Sequence, residues 1–331
     1  MKKGFFGAVV VCGPILTWAF VPKHSATYYE AIKPEVQEAQ RQGADAKIIY
    51  RVVDDEGVPV TNTTVYGQWQ NDYPRRTWKE TFLTDENGEF VAKGKVGGRF
   101  GFYVKKDGYY LSSTGVNFHW REGVSPLVKD GKWQPYGEKR TLVVKRKKNP
   151  VPMGSLHYTP ITVPVTNVWL GFDMSSFQWT KPYGNGEHDD MLLRFNYEMH
   201  DKYAAQWATM DVSFTNNPFA GVYVLPQDTY SDMKSPYLAN TNAMFVQAHT
   251  FRHEFFNKYV DSIGKGDCMV FRTRTRVDEN GKLVAAHYGK IYGLWEFSTM
   301  IRIKDIFFNP TPNDPNLEDV ETIDRLKLLG R

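Results

Sequence analysis

Between Ile48 and Tyr110 the sequence is a succession of short alternating runs closed by acidic turns that end in glycine, and this cadence constrains the fold more than any other feature. Ile48, Tyr50 and Val52 alternate with Ile49, Arg51 and Val53, so one set of side chains faces a core and the other faces away. Asp54-Asp55-Glu56-Gly57 then reverses the chain, and Val58-Pro59-Val60 leads into a strand over Thr64 to Gln70. Thr77 to Leu83 and Glu89 to Lys95 flank Asp85-Glu86-Asn87-Gly88, where Asn-Gly supplies the positive φ of a tight turn, and the two runs are expected to pair as a hairpin. Phe100, Phe102 and Val104 alternate within Arg99 to Lys105, and Thr141 to Lys147 closes the module. Strands this short, at this spacing, predict an antiparallel sandwich.

Taken in order, Val52 to Val60, Thr84 to Phe90 and Lys105 to Tyr109 resemble the successive signatures of carboxypeptidase-regulatory-like domains. The resemblance implies a transthyretin-like, Ig-like β-sandwich of about seven strands over residues 46–148, of a kind widespread in exported bacterial proteins and itself non-catalytic. The sequence departs from that pattern in a long insert, Tyr110 to Glu138, rich in Gly, Trp and Lys.

A chain of 331 residues is long enough for two domains with separate cores. Aromatic residues make up 15% of it and helix-forming windows are scarce, so the expected class is all-β, two sandwich-like domains in tandem. The basic run Lys145 to Lys148 followed by Pro150 and Pro152 cannot continue a ladder and marks the boundary, with the second domain at 149–312. Within that domain Met191 to Met199, Ala205 to Phe214, Cys268 to Val277, Lys282 to Tyr292 and Thr299 to Phe307 alternate, and Asp278-Glu279-Asn280-Gly281 is a second Asn-Gly hairpin. One helix is expected inside it, over Asn242 to Ile263. Another is expected at 313–331, where Asp314-Pro315 resembles an N-cap with proline at N1. As a whole the chain resembles uncharacterised exported two-domain bacterial proteins, a resemblance that implies no activity.

Lys2 and Lys3 followed by eighteen uncharged residues from Gly4 to Val21 read as a secretory signal within 1–26, with Ala19 the favoured residue before cleavage. An uncleaved anchor and a buried helix are the alternatives. Residues 27–45 read as a leader in which Glu35 to Arg41 forms two helical turns ending at Gly43. Cys12 lies in the apolar stretch, leaving Cys268 alone in the body of the protein, so no internal disulfide framework can form.

A formal net charge of +4 supports no nucleic-acid partner, and a membrane is approached only through the N-terminal segment. No cofactor is expected. His249 and His253 are spaced to share a helix face and are weak metal candidates, because Thr250 stands where a metalloprotease places its glutamate. The loop leading to His188-Asp189-Asp190 offers hard oxygen ligands that calcium would accept, without EF-hand spacing. Arg272, Arg274 and Arg276 would stand on one strand face, either neutralised by neighbouring carboxylates or open to a polyanion. Trp120 and Trp133 in the insert, with Trp169, Trp179 and Tyr183 near the glycine-rich loop, are aromatic candidates for stacking on sugar rings. A ligand surface is therefore expected on the insert and the Trp179 to Asp190 loop, not on the sheets. The leading expectation is a non-catalytic exported binding or scaffold protein of the cell envelope, whose partner is a glycan or an envelope protein. A carbohydrate-binding module and a metal-dependent hydrolase are the alternatives.

Overall fold

The computed structural model of the chain describes residues 33–72, 75–118, 126–199, 205–214, 218–227, 230–254, 258–259 and 267–320. The segment read as a secretory signal lies outside these residues, as does Trp120. The regular elements of the described residues are strands apart from one short helix, and they fall in two compact units. One holds the described parts of Met1–Lys147 with Tyr230–Asp232, the other those of Lys148–Thr229 and Met233–Arg325.

The first unit opens with a helix, α1 (Pro34–Gln42), that has proline in its first turn and ends at Gly43 with φ +82°. The two turns expected from the sequence are there, but they are not a leader. Val36 and Ala39 are buried in the same core as the strands. Those strands are β1 (Ala44–Asp54), β2 (Thr64–Asp72), β3 (Arg75–Leu83), β4 (Glu89–Val96), β5 (Arg99–Val104), β6 (Ser112–Asn117), β7 (Val128–Lys129), β8 (Lys132–Trp133) and β9 (Glu138–Val144). They form two layers, one ordered β4-β1-β8-β7 with β9 running parallel beside β1, the other ordered β3-β2-β5-β6. Between the layers the inward side chains interlock: Tyr50 meets Phe102 edge-on at 4.3 Å between centroids, and Trp69 stacks on Phe100 at 3.9 Å. Such pairs contribute roughly 0.5–1.5 kcal/mol each beyond the area they bury.

Two expectations fail here for physical reasons. The turn Asp85 to Gly88 forms, yet β3 and β4 do not pair as a hairpin; β3 pairs with β2 and β4 with β1, so the turn carries the chain from one layer to the other. Phe82 and Phe90 on either side of the turn lie 5.5 Å apart in the core, a contact between layers that a flat hairpin would not allow. The insert is likewise no loose excursion. It supplies β6, which extends the second layer, and β7 and β8, which extend the first.

The second unit is again two layers. Its strands are β10 (Gly154–His157), β11 (Ile161–Thr162), β12 (Leu170–Asp173), β13 (Gln178–Trp179), β14 (Met191–Met199), β15 (Ala205–Ser213), β16 (Gly221–Pro226), β17 (Ala248–Glu254), β18 (Lys258–Tyr259), β19 (Asp267–Val277), β20 (Leu283–Phe297) and β21 (Met300–Phe308). One layer runs β10-β21-β20-β19-β16, with β11 also on β21, and the other β13-β12-β14-β15-β17-β18. Phe172, Leu193, Phe195 and Met210 from the second layer meet Phe271, Ile291, Ile303 and Ile306 from the first in a single core. The five alternating runs all form strands, and Asp278 to Gly281 joins β19 to β20 as a true hairpin.

The helix expected over Asn242 to Ile263 does not form in its described part: Ala248–Glu254 is a strand in register with β15, whose pairing overrides a weak helical pattern. Asp314 does accept a backbone N–H, that of Asn316, but this closes a turn. Asn316 and Asp319 then make bridges to Leu238 and Val151, so no helix starts there; residues 321–331 lie outside the described residues. Among the described residues no helix is long and apolar enough to cross a membrane.

Candidate functional site

Two of the tryptophans expected to face a ligand, Trp133 and Trp179, face the cores. Trp133 is fully buried, stacks on Phe118 at 5.7 Å, and donates its Nε1–H to the Val96 carbonyl at 2.7 Å. Trp179 is buried against Phe172 and Phe195 and donates Nε1–H to the Thr162 carbonyl at 2.8 Å. An indole whose donor is held by a core carbonyl is a packing element and offers no ring to a sugar. Trp169 and Tyr183 are exposed, but Arg194 already lies over the Trp169 ring, 4.8 Å from its centroid, and is itself held by Asp211. Among the described residues, Trp133 and Trp179 therefore take no part in the expected stacking platform.

The three arginines do not share a face. The register shifts between Thr273 and Arg276, and Arg274 sits at φ +49°, so the bulge breaks the period of two. Arg272 turns inward, donates to the carbonyls of Phe219 and Thr241 and lies 3.9 Å from the Phe245 centroid; burial pulls its pKa down. Arg276 is exposed. Arg274 reaches the other layer, where its guanidinium binds both Asp190 and Asp173 and lies over the Phe308 ring.

This node also answers the calcium expectation. Asp173 accepts hydrogen bonds from the Ser175 hydroxyl and from the backbone N–H groups of Ser175, Ser176, Glu187 and His188. Burial pushes its carboxyl up, but these donors outweigh it and hold the pKa well below the ordinary carboxylate value. Asp190 is taken by Arg274 and by the Met174 N–H, and Asp189 by the Thr180 hydroxyl. Oxygens already facing donors are not arranged for a cation. His249 and His253, two weak metal candidates, stand on β17, where four residues separate their Cα atoms by about 13 Å, too far to share an ion. Burial lowers the His249 pKa. Among the described residues no group of three His, Cys, Asp or Glu could hold a metal.

What the sequence reasoning missed is the outer face of the layer β3-β2-β5-β6. Its register sets two adjoining rows across four strands: Thr81, Tyr66, Tyr103 and Ser113, then Lys79, Gln68, Gly101 and Gly115. Tyr66 and Tyr103 stack at 4.8 Å with 16° between ring planes, and Tyr66 is 36% exposed. Burial, then the neighbouring Tyr66 hydroxyl, raises the Tyr103 pKa, which keeps that phenol a neutral hydrogen-bonding group. Beside them Gly101 and Gly115 carry no side chain. The face combines aromatic surface, amide, hydroxyls and one ammonium, groups that hold a polar ligand and include no paired carboxylates. The signal was present in β2, where Tyr66, Gln68 and Gln70 alternate with Val65, Gly67 and Trp69.

No protein-family model matches the chain, and no curated protein matches it in sequence. Among solved structures it is similar to 3-chlorocatechol 1,2-dioxygenase from Rhodococcus opacus 1CP, at 14% identity and a TM-score of 0.25 over 32% of this chain and 62% of that one. It thus spans less than two thirds of the length of that enzyme. It is also similar to a DUF3823 family protein from Parabacteroides merdae ATCC 43184, at 10% identity and a TM-score of 0.21 over 80% of this chain and 98% of that one. A third similar structure is a proposed carbohydrate-binding protein from Bacteroides uniformis ATCC 8492, at 8% identity and a TM-score of 0.19 over 82% of this chain and 100% of that one.

Proposed function

We propose that the chain is a non-catalytic binding or scaffold protein that works outside the cytoplasm, in the cell envelope. The observation that carries this reading is the way buried charge is used: Asp173, Asp190 and Arg274 satisfy one another and nearby N–H groups inside the second unit, and Asp54 does the same with Arg146 in the first. Carboxylates held ionised by donors suit structure better than proton transfer. Export is supported by Lys2 and Lys3 ahead of an uncharged stretch.

A second reading, a carbohydrate-binding module, is favoured by the Tyr66 and Tyr103 face. Polar rows beside aromatic rings suit the hydroxyls and apolar ring faces of a neutral glycan. The test is to incubate the full chain with a panel of neutral glycans and follow both retention and breakdown. Retention of intact glycan, weakened several-fold in Tyr66→Ala, supports both readings. Turnover of any glycan removes the non-catalytic one, and binding unchanged in Tyr66→Ala removes the tyrosine face.

A further inference from the structure

We propose that the opposite face of the first unit, the outer surface of the layer β4-β1-β8-β7 with β9, binds an acidic polysaccharide. It rests on the reading of the chain as a binding protein, and it concerns a different surface and a ligand of different charge.

Along β1 the inward positions Ala46, Ile48, Tyr50 and Val52 are buried, so Asp45, Lys47, Ile49 and Arg51 face outward. Pairing places Lys95 and Lys132 on either side of Asp45, with Lys129 beyond Lys132. Lys93 stands beside Lys47, and Val91 and Lys139 flank Ile49. Glu89 and Thr141 flank Arg51. The face thus holds seven cations against two carboxylates, a surplus of five on a chain whose formal net charge is +4.

None of these side chains is tied up: among the described residues they make no ion pair, and only the Lys132 ammonium rests on an aromatic ring, that of Tyr136. Adjacent strands lie about 4.8 Å apart, so Lys95 and Lys132 stand about 10 Å from one another across the sheet. At the Arg51 end of the face an open cleft of about 280 Å³ is lined by Ile49, Arg51, Glu89, Lys139, Arg140 and Thr141.

The same features choose among polyanions. The cleft brings a hydroxyl and a carboxylate next to the guanidinium, and Glu89 accepts hydrogen bonds from sugar hydroxyls while repelling a dense array of phosphates. A membrane surface calls for Trp, Phe or Leu to enter the lipid, and the outward positions of these strands carry none. Single-stranded nucleic acid calls for stacking rings, also missing from those positions. A linear chain carrying a carboxylate on many of its sugars meets both the spaced ammonium groups and the cleft.

The test uses the full chain and polygalacturonate as the probe, with a neutral polysaccharide, phosphatidylglycerol vesicles and polyphosphate as the other arms. The expected result is retention on polygalacturonate that weakens as salt rises, and a roughly tenfold loss in K93E/K95E. K93Q/K95Q serves in the same role should charge reversal disturb folding. Tyr66→Ala is expected to bind polygalacturonate as the unaltered chain does, so loss of neutral-glycan binding and loss of this activity are separable. Polygalacturonate binding unchanged in both double variants would overturn the proposal, and so would stronger binding to the vesicles or polyphosphate.

Discussion

Arg274 meets Asp190 edge to edge: Nε donates to Oδ1 and Nη2 to Oδ2, each at 2.8 Å. The same Nη2 reaches Asp173 Oδ1 at 3.0 Å, so one guanidinium ties β19 to the last residue of β12 and the residue just before β14 in the facing layer. Removing one partner from a buried pair leaves an uncompensated charge, which typically costs about 3–5 kcal/mol. Arg274→Met is expected to lose stability of that order in urea unfolding, and Arg274→Lys to restore only part of it because an ammonium lacks the planar fork. An Arg274→Met variant as stable as the parent would show the node to be dispensable.

Acid should loosen both units through their held carboxylates. In Asp54 burial pushes the pKa up, but the Val58 N–H, the Arg146 guanidinium and the Glu56 N–H outweigh it, and the pKa is lowered; Asp173 is lowered in the same way. A carboxyl whose folded pKa lies below its unfolded value stabilises the fold fully above about pH 4. That stability is lost as the pH falls through the folded value. The urea midpoint should therefore drop progressively below about pH 4, with a shallower drop in Asp173→Asn; identical slopes in the two proteins would count against Asp173.

The buried indoles should behave as core. Trp133→Ala and Trp179→Ala are each expected to cost about 3–5 kcal/mol, because they open a cavity and orphan the carbonyls of Val96 and Thr162. Trp78, 36% exposed and stacked on Trp69 at 6.4 Å, should cost about 1 kcal/mol when changed to alanine. Thermal melts of the three variants order them, and equal losses would refute the assignment.

Gly88 and Gly281 occupy the same place in two copies of one turn, with φ of +74° and +75°. Alanine at either position meets left-handed strain of roughly 1–2 kcal/mol. A Cβ on Gly88 would also lie 2.5 Å from the Val52 carbonyl oxygen, whereas one on Gly281 meets nothing within 4 Å. Gly88→Ala should therefore be clearly the more damaging in equilibrium unfolding, and similar losses would mean that backbone strain alone governs both.

Those turns also divide what the sequence by itself determined from what the tertiary structure decided. At Asp54, Asp85 and Asp278 the carbonyl of the aspartate accepts the N–H of the glycine three residues on, at 3.0 Å in each case. One carboxylate oxygen caps the N–H groups two and four residues on. Aspartate's short acceptor and glycine's freedom at positive φ settle that geometry within five residues, so turns and alternating strands such as Met191–Met199 were legible from local chemistry alone. The destination of the strands was not. After Asp278 the chain returns within one layer, whereas after Asp85 it crosses to the other, because Phe82 and Phe90 find their contacts across the core and β1 and β2 are already placed to pair with β4 and β3. The face shared by Tyr66 and Tyr103, the basic face around Lys47, and the bulge that turns Arg274 to Asp190 arise in the same way. Each depends on which strands become neighbours, and the free energy that selects neighbours lies in contacts far apart in sequence.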